Sequence, residues 1–98
     1  MPTFARTPEF IQDLKKLDTE LRAKFEKVIL EDFVADLRNG QRFRPQLRVK
    51  RVVSTRGVWE LTWAKDGRAT FEYGPEQRMG EPHVIWRRVG THAIFKRP

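Results

Sequence analysis

Several side chains in the second half of this chain have the types and spacing for acid–base work on a phosphodiester. Glu60 and Arg68 flank Lys65-Asp66-Gly67, whose Asp-Gly pair fits a tight hairpin turn. If the flanking segments pair as strands, alternation places Glu60 and Arg68 on one face, with Thr62, Thr70 and Glu72. Lys50 and Arg51 come from the segment before this hairpin, and Arg87, Arg88 and His92 from the segment after it. A sheet face with several cations, one carboxylate and one imidazole holds the parts for RNA cleavage. These are a base for the ribose 2′-hydroxyl, cations for the charge of the phosphorane, and an acid for the leaving 5′-oxygen. Such chemistry needs no metal and no cofactor.

Each residue also has a plainer reading. Glu60 opposite a basic residue is a cross-strand ion pair on a solvated sheet, and Arg68 after a hairpin glycine is an arginine that costs little to expose. In a regular strand only one of Arg87 and Arg88 can line the site. Arg88 is grouped with Glu60, Arg68 and His92 as the catalytic set; Lys50, Arg51, Arg87 and Phe95 are grouped as the RNA grip, Phe95 by stacking on a base. Alternation assigns Trp59 and Trp63 to the core, and His83, behind Pro82, reads as incidental. The two histidines, nine residues apart, match no standard metal-ligand spacing. The segment from Gly74 to Pro82 carries no phosphate-loop pattern and reads as a surface loop.

The elements that must position these groups follow from periodicity. A short extended segment at 3–6 leads to Thr7-Pro8-Glu9, a hydroxyl N-cap with Pro at the first helical position and an acid in the first turn. Phe10, Ile11, Leu14 and Leu17 then share one helical face. Asp18 or Thr19 starts a second helix, with Leu21, Phe25, Val28, Ile29, Phe33 and Leu37 on its apolar face, ending at Asn39-Gly40. So short a junction makes the two helices antiparallel. From Gly40 onward lie all six glycines and a β-branched and aromatic pattern, with strands expected at about 47–54, 58–63, 68–73 and 83–89. One sheet face would pack on the helices and the other would be polar and open, while the facing of the last strand stays unsettled by pattern alone.

Ninety-eight residues, 39% apolar, suffice for one domain spanning 1–98 with one modest core. The absence of cysteine excludes disulfides, thiolate nucleophiles and thiolate metal sites. No apolar run approaches the length of a membrane span and the start lacks a secretory pattern, so a soluble cytoplasmic protein is expected. The net charge of +7 is one-sided: residues 1–39 carry seven basic and eight acidic side chains, and residues 40–98 carry thirteen and five. Such a field attracts polyanions, nucleic acids foremost, or an acidic protein.

Taken in order, these motifs resemble the RelE/ParE superfamily of bacterial type II toxins, closer to the RelE-like side. The carriers are Phe4-Ala5-Arg6-Thr7-Pro8-Glu9-Phe10 with Leu14-Lys15-Lys16-Leu17, Leu47-Arg48-Val49-Lys50, Gly57-Val58-Trp59-Glu60-Leu61, Gly67-Arg68-Ala69-Thr70-Phe71 and Gly90-Thr91-His92-Ala93-Ile94-Phe95. The resemblance implies an α+β fold: a short N-terminal strand and an antiparallel two-helix hairpin on one face of a curved, mostly antiparallel sheet of about four to five strands. It further implies mRNA cleavage on the ribosome without metal, and a cognate antitoxin as partner. By position, Glu60 matches an acid–base site, Arg68 lies at or beside the phosphate-holding arginine, His92 matches an acid or charge-stabilising site, and Phe95 lies where a terminal aromatic orients the base. The family's C-terminal Tyr is missing and no final helix is expected before Pro98, which favours a His-centred mechanism. Two other readings remain: a gyrase-inhibiting toxin of the ParE type, and a non-catalytic RNA- or protein-binding module.

Overall fold

The computed structural model describes residues 2–98. Strand β1 (Thr3–Arg6) leads into helices α1 (Pro8–Lys16) and α2 (Thr19–Val28), a π turn (Ile29–Phe33) and α3 (Val34–Arg38). A 3-10 turn (Pro45–Leu47) precedes strands β2 (Lys50–Arg51), β3 (Trp59–Thr62), β4 (Arg68–Gly74) and β5 (His83–Gly90), and a second 3-10 turn spans His92–Lys96. The five strands form one sheet in the order β1-β5-β4-β3-β2, with β1 parallel to β5 and the other pairs antiparallel. This is the α+β architecture expected from the sequence.

Both helix starts are capped as their sequences require. Thr7 Oγ1 accepts from Phe10 N at 3.2 Å and Asp18 Oδ1 from Leu21 N at 2.8 Å. The long second helix contains a departure with a clear cause. Phe25, Ile29, Phe33 and Leu37 recur every four residues and are all buried, but a four-residue step overshoots a full α-helical turn by about 40°. The π turn, in which Val34 N bonds to Ile29 O, absorbs that drift and keeps the four on one face. Leu21, expected on the same face, is exposed instead.

The core lies between the helices and one sheet face. Phe10, Phe25, Phe33, Leu61, Trp63, Ala69, Phe71, Val84, Trp86 and Val89 meet there, with Phe33 against Phe43, Phe71 and Trp86 at ring separations of 5.1–5.2 Å. The facing of β5 is thereby settled: Val84, Trp86 and Val89 point to the helices. Trp63 also donates its indole N–H to Arg68 O at 3.0 Å, so the core anchors the end of the β3–β4 hairpin. His83 is structural, bonding Thr3 Oγ1 at 2.7 Å.

Two expectations are corrected. The strand foreseen at 47–54 shrinks to Lys50–Arg51, because Leu47 closes a 3-10 turn into the core and Arg48 adopts φ 47 before the chain can extend. The far sheet face is not fully open, since the C-terminal 3-10 turn, also unforeseen, folds back over it. Ile94 is buried, and a Cβ added at Gly90 would lie 3.0 Å from its Cγ2. Thr70 on this face has no exposed surface, and its Oγ1 has no hydrogen-bond partner. Replacing this unpaired hydroxyl by a methyl should therefore stabilise the protein. We expect Thr70→Val to raise stability by about 1 kcal/mol, read as a Tm increase of about 4–8 °C.

Arg44 ties the helical layer to the chain that leads into β2. Its backbone N–H, Nε and Nη2 donate to the Asp36 carboxylate at 2.8–3.0 Å, and Nη1 donates to Asp32 at 2.9 Å. The hydrogen bonds from Arg44 hold the Asp36 carboxyl below its ordinary value of 3.8. The stability this pair contributes is complete above pH 3.8 and is lost as the pH falls through the lower native value. Asp36→Asn should cost about 1–2 kcal/mol at pH 7 and flatten the acid limb of a urea-melt stability–pH profile.

Candidate active site

The antiparallel register aligns Lys50, Glu60, Thr70 and Arg88 as one row across β2, β3, β4 and β5. These four share the face turned away from the helices, with backbones about 4.8 Å apart from strand to strand. Glu60 stands inside the row, its side chain 16% exposed, with Lys50 Nζ 3.9 Å from Oε1. Arg68 occupies the next row, paired with Thr62 and Gly90. It is the diagonal neighbour of Glu60, a separation of about 7–8 Å in an antiparallel pair. Gly90 is two residues from His92, so the register also brings the C-terminal turn beside Arg68.

Half of the Arg68 guanidinium is anchored to the protein. Its Nη1 donates to the carbonyls of Gly67, Ala64 and Lys65 at 3.0, 3.4 and 3.3 Å, which fixes the guanidinium against its own hairpin turn. Its Nε and Nη2 are left for another acceptor, and among the described residues no carboxylate lies within ion-pair distance. The guanidinium borders a groove of about 340 Å³ between the hairpin end and the helical layer, lined by Arg48, Lys65, Gln46 and Thr62 and by Val28, Asp32 and Leu47. The acid there, Asp32, is already bonded to Arg44. A phosphate reaching Arg68 meets a planar two-donor fork carrying uncompensated charge.

The other two arginines are differently placed. A bulge opposite Thr70–Phe71 leaves Arg87 without a partner on β4, its carbonyl accepting instead from Thr7 Oγ1 at 2.8 Å. The bulge breaks the alternation assumed for a regular strand, so Arg87 and Arg88 both line one groove of about 830 Å³ with Asp13, Thr55 and the last residues of the chain. Arg88 forms a two-pronged bridge to Asp13, which keeps its guanidinium pKa above the ordinary arginine value. Arg87 bonds Glu72 at 2.7 Å. Sequence reasoning did not find Asp13, whose only signal was an acid on the polar side of α1.

His92 is exposed at the start of the C-terminal turn, its ring edge-on to Phe95 with centroids 4.8 Å apart. Thr91 Oγ1 caps this turn by accepting from Ala93 N. Arg51 does not join Lys50: it pairs with Trp59 and lies over that indole at 5.2 Å, on the helical side of the sheet. Register thus sets Lys50, Glu60, Arg68 and Arg88 on one sheet face and Arg51 on the other, while the side chains open on two grooves, Arg68 on one and Arg87 with Arg88 on the other, and neither Glu60 nor His92 lines either of them. Among the described residues no three His, Cys, Asp or Glu side chains are grouped to hold a metal ion, and no helix is long and apolar enough to cross a membrane.

No protein-family model and no curated protein sequence matches the chain. Its fold does have solved counterparts. A chain of the E. coli DinJ-YafQ toxin-antitoxin complex superposes with a TM-score of 0.64 at 14% identity, over 94% of this chain and 93% of that one. The YoeB/ParE toxin from Agrobacterium tumefaciens gives 0.62 at 14% identity, over 92% and 98%. The conserved hypothetical protein HP0892 from Helicobacter pylori gives 0.56 at 20% identity, over 95% and 97%. At such identities the likeness speaks to backbone architecture, and on that ground the chain has the fold of the RelE/ParE superfamily of toxins that its sequence resembles.

Proposed function

We propose that this protein is the toxin of a type II toxin–antitoxin pair and that it cleaves mRNA on the ribosome, in the cytoplasm, without a metal cofactor. The observation that carries the reading is the Arg68 guanidinium, anchored through Nη1 alone and paired with no carboxylate, on a strand whose register sets Glu60 one row away and Gly90, two residues before His92, directly opposite. Fold likeness to a chain of a toxin–antitoxin complex supports an antitoxin as partner.

In this reading Glu60 and His92 form the acid–base pair. The base takes the proton of a ribose 2′-hydroxyl, and the 2′-oxygen attacks the adjacent phosphorus. The acid protonates the 5′-oxygen as the P–O5′ bond breaks, leaving a 2′,3′-cyclic phosphate and a 5′-hydroxyl. Arg68 holds the non-bridging oxygens as their charge grows. Lys50 screens Glu60, and Phe95, against the imidazole, offers a ring to a neighbouring base. These groups are spread along a shallow surface, so much of the rate must come from alignment of the 2′-oxygen, phosphorus and 5′-oxygen, which the ribosome supplies.

Ribosomes programmed with a short mRNA test this. Cleavage of the bound mRNA by purified protein, with gyrase supercoiling unaffected, is the expected result. Intact mRNA together with inhibited supercoiling would overturn it.

A further inference from the structure

The Arg87–Arg88 bulge does more than line a groove, because each arginine joins an acid of the folded body to the backbone of the C-terminal segment. Arg88 takes Asp13 of α1 through Nε at 2.5 Å and Nη2 at 3.1 Å, and gives Nη1 to Arg97 O at 2.9 Å. Arg87 takes Glu72 of β4 through Nη1 at 2.7 Å, and gives Nε and Nη2 to Pro98 O, both at 3.2 Å. Asp13 also accepts from Val89 N at 3.2 Å, which ties the clamp to β5 where β1 no longer covers it.

We propose that Asp13 and Glu72 are positioning residues: acting through Arg88 and Arg87, they clamp residues 97–98 to the sheet and thereby set the orientation of the His92–Phe95 turn. This rests on the cleavage reading only for its consequence in rate; the clamp itself is a claim about the C-terminal turn. Two features favour it over simple surface ion pairing. The Asp13 side chain is 10% exposed and the bridge to Arg88 is bidentate, so the pair is largely shielded from solvent. The turn it secures has few other anchors, chiefly Ile94, buried beside Gly90, and the Thr91 cap. A turn fastened at its far end by two guanidinium forks loses orientational freedom when either fork loses its acid, because an unpaired arginine turns to water.

The experiment compares wild type, Asp13→Asn and Glu72→Gln by amide hydrogen exchange and by NMR of the His92 ring, and by single-turnover cleavage on programmed ribosomes. Asp13→Asn retains an acceptor for Val89 N, and Glu72→Gln touches only Arg87, so the second variant decides the matter if the first fails to fold. The expected result is faster exchange confined to residues 91–98, a shifted and broadened His92 signal, and a roughly 10- to 100-fold lower single-turnover rate with KM changed less than twofold. Exchange and His92 signals identical to wild type in the folded variants overturn the clamp, whatever the cleavage data show. If wild type itself cleaves nothing, the cleavage reading fails, while the NMR comparison still decides the clamp.

Discussion

Arg68→Ala is expected to lower the single-turnover cleavage rate on programmed ribosomes by about 10²- to 10³-fold, with a loss of global stability of no more than about 1 kcal/mol. The asymmetry follows from what Arg68 touches. On the protein side it makes bonds from a single nitrogen to turn carbonyls, and the indole bond that fixes the hairpin end goes to the Arg68 backbone, which alanine retains. On the ligand side it is the arginine of this face without an acid, so its charge has no other use. Arg68→Lys keeps the charge and loses the fork, and should recover only part of the rate. Arg88→Ala should behave in the opposite sense. It leaves Asp13 shielded and without a counter-ion, held only by the Val89 N–H, which costs about 3 kcal/mol, so its defect is seen first in a urea melt. Equal stability losses in the two variants would remove the distinction drawn between an anion receptor and a structural bridge.

The largest effect on stability is expected at Phe33. Its side chain has no exposed surface and contacts Phe43, Phe71 and Trp86. Phe33→Ala should cost about 3–5 kcal/mol through lost burial and an unfilled cavity, a large share of the stability of a domain this size. Urea unfolding would read it as a lower midpoint with an unchanged slope. A loss under about 1 kcal/mol would mean that the π turn does not hold Phe33 where the sheet and helices meet.

Much of this architecture was legible because the signals were local. Thr7-Pro8-Glu9 gave the start of α1, the Asp-Gly pair gave the hairpin, and alternation gave the faces of β3 and β4. Even the π turn had a signal, the four-residue recurrence of Phe25, Ile29, Phe33 and Leu37, which an ideal α-helix cannot keep on one stripe. Less legible were features made by contacts distant in sequence. The bulge at Arg87 depends on Thr7 taking its carbonyl from the far end of the chain, and the Asp13–Arg88 bridge joins α1 to β5. Within the candidate site, the shared face of Glu60 and Arg68 followed from parity. The separation of Arg51 from Lys50 follows from the same parity, because adjacent residues of a strand face opposite sides. The cover over Thr70 could not be read, because nothing in Gly90-Thr91-His92 marks a chain about to fold back across the sheet.

If His92 and Arg68 act on one phosphodiester, the ends of the cut RNA record it. The most direct measurement is end analysis of mRNA recovered from programmed ribosomes after exposure to wild type, His92→Ala and Arg68→Ala proteins of confirmed fold. Wild type should yield fragments ending in 2′,3′-cyclic phosphate and starting with 5′-hydroxyl, and each variant the same ends at least about 100-fold more slowly. Cleavage by either variant at the wild-type rate, or fragments bearing 5′-phosphates, would contradict it.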